Sequence, residues 1–440
     1  MKSPKGMTAF VMIWIGQVLS ILGSAMTHFG LGIWAWEKTG QATPLALVGF
    51  FGFAPMILVT PIAGVLVDRW NRKLVMAFSD IATALSTVFI LIMLLSGDLQ
   101  IWHLYAASMF AGIFGAFQWP AYSAAISLMI PKAHYGRASG MISIAETGSG
   151  ILAPVLAAVL IMKIGIKGIL IIDIITLIIA LILLSLVSIP KLTRKEESTA
   201  EKGNFFKELA FGFKYLFSRA SLYGLQLVFF FGNFFTSMAF TLMTPMVLAR
   251  SGGNVTLLGT TRSIGAIGGL IGSLVLTTWG GPKRKVFGVF WGFFAFGIFG
   301  LFLFGFTGIP FVWFLASFLG QFINPILNGS NQAIWQSKTA PEVQGRVFSV
   351  RRLVAQITSP MAMLITGPLA DKLIEPAFIR SDFWLANLLA PVMGTGTGVG
   401  MGFIIALSGL LVALVGVVPF FIPVIKNVET ILPDHQTEVN

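Results

Sequence analysis

Long apolar stretches separated by short polar breaks run along the whole chain, each near the twenty or so residues a helix needs to cross a hydrocarbon layer. Twelve can be delimited, at 8–35, 44–67, 74–96, 102–130, 139–163, 168–189, 221–249, 255–279, 286–307, 310–337, 347–373 and 397–425. Their length favours helices over the short alternating strands of a barrel. The first is too long for a cleavable signal segment and leads directly into a second span. The pattern predicts an all-α membrane protein of twelve transmembrane helices. One sizeable polar stretch, Lys191–Gly203, interrupts it. It divides the chain into an N-terminal six-helix bundle (1–190), a linker (191–220), a C-terminal six-helix bundle (221–426) and a tail (427–440). Within the linker, Phe205, Phe206, Leu209, Phe213, Leu216 and Phe217 share one helical face, with Lys207, Glu208, Lys214 and Arg219 elsewhere. That spacing predicts a helix lying in the membrane interface, or else the first turn of span seven.

Composition sharpens the class. The 440 residues are 56% hydrophobic and 10% charged, with a mean hydropathy of +0.87, which excludes an ordinary soluble domain. The net charge of +12 suggests nucleic acid only until its distribution is read. With the N-terminus on the cytoplasmic side, 22 of the 29 Lys and Arg fall in cytoplasmic segments and six in outer loops, while Arg262 lies inside a span. That bias orients a multi-pass protein of the cell membrane with both termini cytoplasmic, and it excludes nucleic acid as the partner. There are no cysteines, so disulfides, thiolate catalysis and Cys-based metal sites are excluded. Four scattered His and no nucleophile–base set argue against an intramembrane enzyme. No cofactor is expected. The expected partners are the bilayer, a small-molecule substrate and protons, with the chain acting as a monomer.

The two halves echo one another. Gly115-Ala-Phe-Gln-Trp-Pro120 in span four matches Gly320-Gln-Phe-Ile-Asn-Pro325 in span ten, and each is followed by a Pro (131, 341) and a Gly-Arg pair (136–137, 345–346). Between spans two and three lies Gly64-Val-Leu-Val-Asp-Arg-Trp-Asn-Arg-Lys73, and its charges must sit at a membrane surface. This turn resembles the Gly-x-Leu-Ala-Asp-Arg-x-Gly-Arg-Lys loop of the major facilitator superfamily, with Val67 and Asn71 as its departures. The resemblance implies two six-helix bundles in pseudo-twofold arrangement, with the substrate site between them near the bilayer midplane. It also implies a cytoplasmic gate. Gly64, Asp68, Arg69, Arg72 and Lys73 would form one side, and Asp68 would latch the N-terminal end of span eleven near Arg346, Arg351 and Arg352. A degraded counterpart, Lys283-Arg284-Lys285, follows span eight, where Gly280 takes the place of the acid.

Span five resembles the facilitator antiporter pattern Gly-x8-Gly-x3-Gly-Pro-x2-Gly. Gly140 and Pro154 are kept, while Ser149, Ala153 and Ala157 stand in for glycine, so a helix bend and close packing are expected there. Glu146 lies on the same helix, two turns into the membrane. An ionisable group at that depth is a functional candidate, for proton coupling or for a gate with Arg351 or Arg352. His28 in span one is a second coupling candidate, the alternative being a hydrogen-bonded structural residue. Arg262 in span eight either attracts an anionic substrate, gates the outer side or snorkels to the surface. Asp80 and Asp173 fall nearer span ends, which favours structural roles. Gln17, Gln118, Asn233, Gln321, Asn324 and Asn328 are the amide candidates for the substrate cavity, and the phenylalanines crowding 229–235 favour a bulky apolar substrate.

Gly16-Gln17, Ser20, Gly23-Ser24, Trp34, Thr39-Gly40 and Gly367-Pro-Leu-Ala-Asp371 resemble the macrolide-efflux branch of the superfamily, which implies secondary-active export of bulky, partly apolar compounds. Lysophospholipid and siderophore transporters are similar too, and an uncoupled facilitator stands as a further alternative. Span four departs from many proton-coupled exporters, because Ser108 replaces their mid-span Arg. No Gly-x4-Gly-Lys-Ser/Thr loop occurs, so an ion gradient is the expected energy source. The run Gly394-Thr-Gly-Thr-Gly-Val-Gly-Met-Gly follows no strand and is expected to be a flexible entry to span twelve.

Overall fold

The computed structural model describes residues 6–131, 134–189, 205–340, 343–380 and 384–434. The linker 191–203 lies outside them, as do the side chains of Asp68 and Arg69. The described residues are helical and contain no strand. Two compact units emerge. The first comprises residues 1–200 with Leu258–Ser263, and the second comprises 201–257 with 264–440.

In the first unit, α1 (Gly6–Thr39), α2 (Ala42–Arg69), α3 (Arg72–Ser96) and α4 (Ile101–Met129) are followed by α5 (Tyr135–Leu186). α5 is two arms joined at Gly165, where φ 65° and ψ 179° break the helix. Its arms correspond to spans five and six. Small residues let these helices touch at backbone distance. On α1, Gly16 faces Ala180, and a Cβ at Gly23 would lie 2.3 Å from Thr176 Oγ1. α2 crosses α4 at Gly52 and Gly112, where a Cβ on Gly112 would meet the Gly52 carbonyl at 2.1 Å. Phe10, Met76, Tyr122, Met129 and Leu184 fill one end of the unit, and Leu31, Ile90, Leu104 and Leu170 the other.

The second unit holds α6 (Phe205–Phe217), α7 (Ala220–Arg250), most of α8 (Val255–Trp279), and α9 (Lys285–Ala295). α9 continues through a π-helical turn, Phe296–Phe302, into α10 (Leu303–Phe306). α11 (Pro310–Lys338) follows, and span eleven is built from α12 (Gln344–Gln356), α13 (Thr358–Leu369), a second π turn (Ala370–Ile374) and α14 (Glu375–Arg380). α15 (Trp384–Met393) is a short apolar helix that the hydropathy pattern did not anticipate, and α16 (Val399–Val417) forms span twelve. Gly297 and Gly305 pack on the backbone of Gly409 and Gly402, joining spans nine and twelve. Nine helices among the described residues are long and apolar enough to cross a membrane. The twelve expected stretches map onto these nine, one of them doubled at Gly165, together with α4 and α8, which are 29 and 25 residues long.

The halves repeat in packing as well as in sequence. Gly112 of α4 sits on Gly52, while Ser317, its equivalent by the span-four and span-ten match, sits on Gly265. Pro120 and Pro325 occupy matching places inside α4 and α11. The turns after spans two and eight then diverge for a visible reason. Asp68 lies within α2, whereas Gly280 is a left-handed cap (φ 77°) that ends α8, a conformation that disfavours an acid there. Asn71, which departs from the family's Gly, caps α3 by accepting from the Lys73 amide at 3.0 Å.

Two further findings concern the ends. The linker helix α6 has a protein partner, since Gly212 packs within 2.8 Å of the Arg346 carbonyl on α12, measured from its would-be Cβ. Residues 427–434 are docked as well. Glu429 accepts from the Lys285 and Val286 amides at 3.0 Å and so caps α9. Lys338 donates to the Leu432 carbonyl at 2.6 Å and pairs with Asp434 at 2.7 Å. Glu429→Ala is expected to lower stability by about 1 kcal/mol through the lost cap, read as a drop in the thermal unfolding midpoint in detergent.

Candidate functional site

The polar interior of the first unit is built from one residue on each of three helices. Gln118 on α4 donates from Nε2 to Asp80 Oδ1 on α3 at 2.9 Å and to Gln17 Oε1 on α1 at 3.2 Å. Gln17 and Asp80 are buried. Polar groups withdrawn from water in this way hold together because each bond offsets part of the desolvation cost. Beside them lies a cavity of about 170 Å³, lined by Trp14, Gln17, Gln118, Trp119, Tyr122 and Glu146, among others. Trp14 donates its indole N–H to the Met141 carbonyl at 2.8 Å, tying α1 to α5 at the cavity edge. The structure therefore brings three expected residues, Gln17, Gln118 and Glu146, to one cavity. Asp80, two turns from the start of α3 and so nearer that end of the span, joins the same cluster through Gln118.

A second polar knot fits the structural role expected of Asp173. Its carboxylate accepts from Ser24 at 3.0 Å and from Thr87 at 2.9 Å, binding α1, α3 and α5. His28 stands one turn beyond Ser24 and interacts electrostatically with Asp173. On α5, Ser149, Ala153 and Ala157 are buried, with Ala153 and Ala157 in a cluster with Met26 and Ile169. Gly140 has open space around it. The carbonyl of Pro154 is approached by Gly259, and Ser263 donates to the Ile151 carbonyl at 2.6 Å, so this stretch of α5 packs tightly against the Leu258–Ser263 segment of this unit. Arg262 is exposed on that segment.

The gate candidates belong to both units. Gly64 has no neighbour that would exclude a Cβ. Lys73 is engaged within its own unit, donating to the Ser185 and Val187 carbonyls at 2.7 and 2.6 Å. It caps the C-terminal end of α5, where the helix dipole favours a cation. Arg284 repeats the arrangement in the second unit by donating to the Lys426 carbonyl at 3.2 Å. Arg72 is half-buried, with its Nε unpartnered among the described residues. Arg351 donates to Gln332 Oε1 at 2.7 Å and lies 5.2 Å from the centroid of the Trp335 ring, whereas Arg352 is exposed. In the same unit Asn328 donates to Asn324, Gln321 packs beside Gly265, and Asn233 is half-buried. Phe229 is buried edge-on against Phe293, while Phe231 is exposed.

Glu375 is the residue that sequence reasoning missed. It is buried and accepts from the amides of Gly398 and Met401, and a Cβ on Gly400 would fall 2.7 Å from its Cα. Gly394, Gly396 and Gly398 all take positive φ (80°, 101° and 86°). The glycine run is thus an ordered wrapping that delivers backbone N–H groups to a carboxylate at the start of α16, not a loose entry to it. Glycines at alternate positions after an unassigned acid were the available signal. Arg250 closes the junction by donating to the Met393 carbonyl at 2.6 Å.

A larger cavity of about 600 Å³ lies along α3 and α4, lined mainly by Trp70, Leu74, Phe78, Phe114 and Phe117. Its wall is almost wholly apolar, without the convergent polar groups that fix a ligand's orientation. The smaller polar cavity is the stronger candidate site.

The family model of the Major Facilitator Superfamily matches residues 13–363. The chain belongs to that superfamily. Macrolide efflux protein A of Streptococcus pyogenes is 28% identical over 370 residues, covering 83% of this chain and 90% of the relative. Macrolide efflux protein A of Enterococcus faecalis is 28% identical over 330 residues, covering 74% of this chain and all of that one. Among solved structures, a bacterial homologue of the human lysosomal transporter Spinster aligns with a TM-score of 0.67 at 14% identity, covering 93% of this chain and 98% of that one. A bacterial homologue of the iron transporter ferroportin aligns with a TM-score of 0.65 at 13% identity, with the same coverage. At such identities these structures share the fold. This facilitator is accordingly a multi-pass membrane transporter of a small molecule, not an enzyme.

Proposed function

We propose that this facilitator is a proton-coupled exporter of bulky, partly apolar compounds of the macrolide kind, working by alternating access. The observation that carries the reading is the cavity in the first unit. Glu146 meets two amides and three aromatic rings there, so an ionisable group and a surface for an apolar, hydrogen-bonding molecule share one space. The likeness to macrolide efflux protein A over most of the chain supports the substrate class. Glu146, with His28 as second candidate, serves as the coupling group, and the amides Gln17 and Gln118 orient the cargo. Asn233, Arg262, Gln321, Asn324 and Asn328 complete the set that would meet substrate. Gly64, Asp68, Arg69, Arg72, Lys73, Arg351 and Arg352 form the gate on the cytoplasmic side, where both termini lie, and the protein works as a monomer.

The test is erythromycin transport by the purified protein in proteoliposomes under an imposed proton gradient. Accumulation should follow the sign and size of the gradient and collapse with a protonophore. Accumulation indifferent to the gradient would leave an uncoupled facilitator. No erythromycin movement, with lysophospholipid or siderophore carried instead, would overturn the substrate class.

A further inference from the structure

Asp80 carries an unused capacity. Its Oδ1 accepts from Gln118, but its Oδ2 is buried without a partner among the described residues, and so is Gln118 Oε1. Two unpartnered acceptors sit in one three-residue cluster. No ion pair with Asp80 occurs among the described residues, so ionised Asp80 is uncompensated inside a membrane protein. The titratable groups facing the cluster are Tyr122 on α4 and Glu146 on α5, across the cavity. Gln17 is the group from α1. On α3 itself, Arg72 and Lys73 stand about two turns back, and Lys73 is held by carbonyls. The side chains of Asp68 and Arg69 on α2 lie outside the described residues.

An amide has the same shape in its two orientations but exchanges donor for acceptor. As it stands, the Gln118 amide offers N–H to both neighbours, which suits ionised Asp80 and leaves the Gln17 amide nitrogen to face the cavity. Inverted, Gln118 would present oxygen to both. That arrangement needs a proton on Asp80 to donate to it, and it needs Gln17 to invert and donate from nitrogen, leaving the Gln17 oxygen to face the cavity. The present arrangement suits ionised Asp80 and the inverted one suits Asp80 protonated at Oδ1, and the two differ in what the cavity wall offers a ligand.

We propose that Asp80 binds a transported proton and that the Gln118 amide relays its protonation to the cavity by inverting, which switches Gln17 from donor to acceptor. The proposal deepens the proton-coupled reading and rests on it. The proton comes from water on one side and returns to water on the other, and no other bond changes.

Infrared difference spectroscopy of the purified protein in lipid nanodiscs, across a pH step, reads the carboxyl directly. The wild type should show a protonated-carboxyl band with an Asp80 component that is lost in Asp80→Asn and kept in Glu146→Gln. Should Asp80→Asn fail to fold, Asp80→Glu must shift the band. In Gln118→Leu the band should remain but shift, while the pH dependence of erythromycin binding is lost. A band untouched by changes at Asp80 overturns the assignment, and pH-dependent binding that survives Gln118→Leu overturns the relay. If the band and the relay behave as expected but proteoliposome transport ignores the gradient, the coupled-export reading fails while the proton site stands.

Discussion

Glu146→Gln should reduce gradient-driven erythromycin accumulation to the level of protein-free liposomes. The substitution keeps the size of the side chain but replaces its carboxyl with an amide that cannot take up and release a proton. The cavity keeps Trp14, Trp119 and both amides, so binding should survive. Substrate-for-substrate exchange, which needs alternating access but no net proton movement, then separates the two roles open to this residue. A coupling group leaves exchange intact in the variant, because a permanently neutral side chain mimics the loaded state. A pure gate residue, whose charge holds one side closed, impairs exchange together with accumulation. Activity near wild type in both assays would remove Glu146 from the mechanism and leave Asp80 as the carboxyl to pursue.

The second large effect is structural. Gly112→Val should prevent stable folding of the first unit, because its Cβ would lie 2.1 Å from the carbonyl oxygen of Gly52. Overpacking in a core typically costs about 1–3 kcal/mol when side chains can yield, and more is expected where the obstacle is backbone. Gly140→Ala is the control, since nothing lies within 4 Å of its would-be Cβ and alanine is the better helix former. Fluorescence-detected gel filtration and thermal unfolding in detergent should show the Val variant lost or aggregated and the Ala variant unchanged or more stable. Equal behaviour of the two would mean that α2 and α4 do not cross at these glycines.

The sequence makes the helices legible because apolar length is a strong signal, and it makes the duplication legible because Pro120 and Pro325 fall at matching places. It is less informative where the backbone departs from regular helix. The break at Gly165, the π turns at 296–302 and 370–374, and the wrapping of Glu375 all involve local geometry that hydropathy averages away. For the candidate site, depth in the membrane picks out Glu146, and amide chemistry picks out Gln17 and Gln118. That Gln118 also reaches Asp80 depends on the rotation of α3 and α4 about their axes, which no single-span pattern encodes. Lys73 is a gate candidate by resemblance, and that its ammonium is held by the end of α5, more than a hundred positions along the chain, is a contact no local pattern encodes.

The acids are divided unevenly between the halves. Asp80, Glu146 and Asp173 lie on helices of the first unit, while in the second Asp371 falls in a π turn of span eleven, Glu375 and Glu429 are fixed at helix starts and Asp434 is paired with Lys338. If Asp80 and Glu146 carry the proposed coupling, the duplicated halves have specialised, with both of those acids in the first copy. Relatives should then be free to diversify the second copy for new cargo without rebuilding ion coupling. A chimera that joins this first half to the second half of a relative with another substrate should keep its proton dependence and change what it carries.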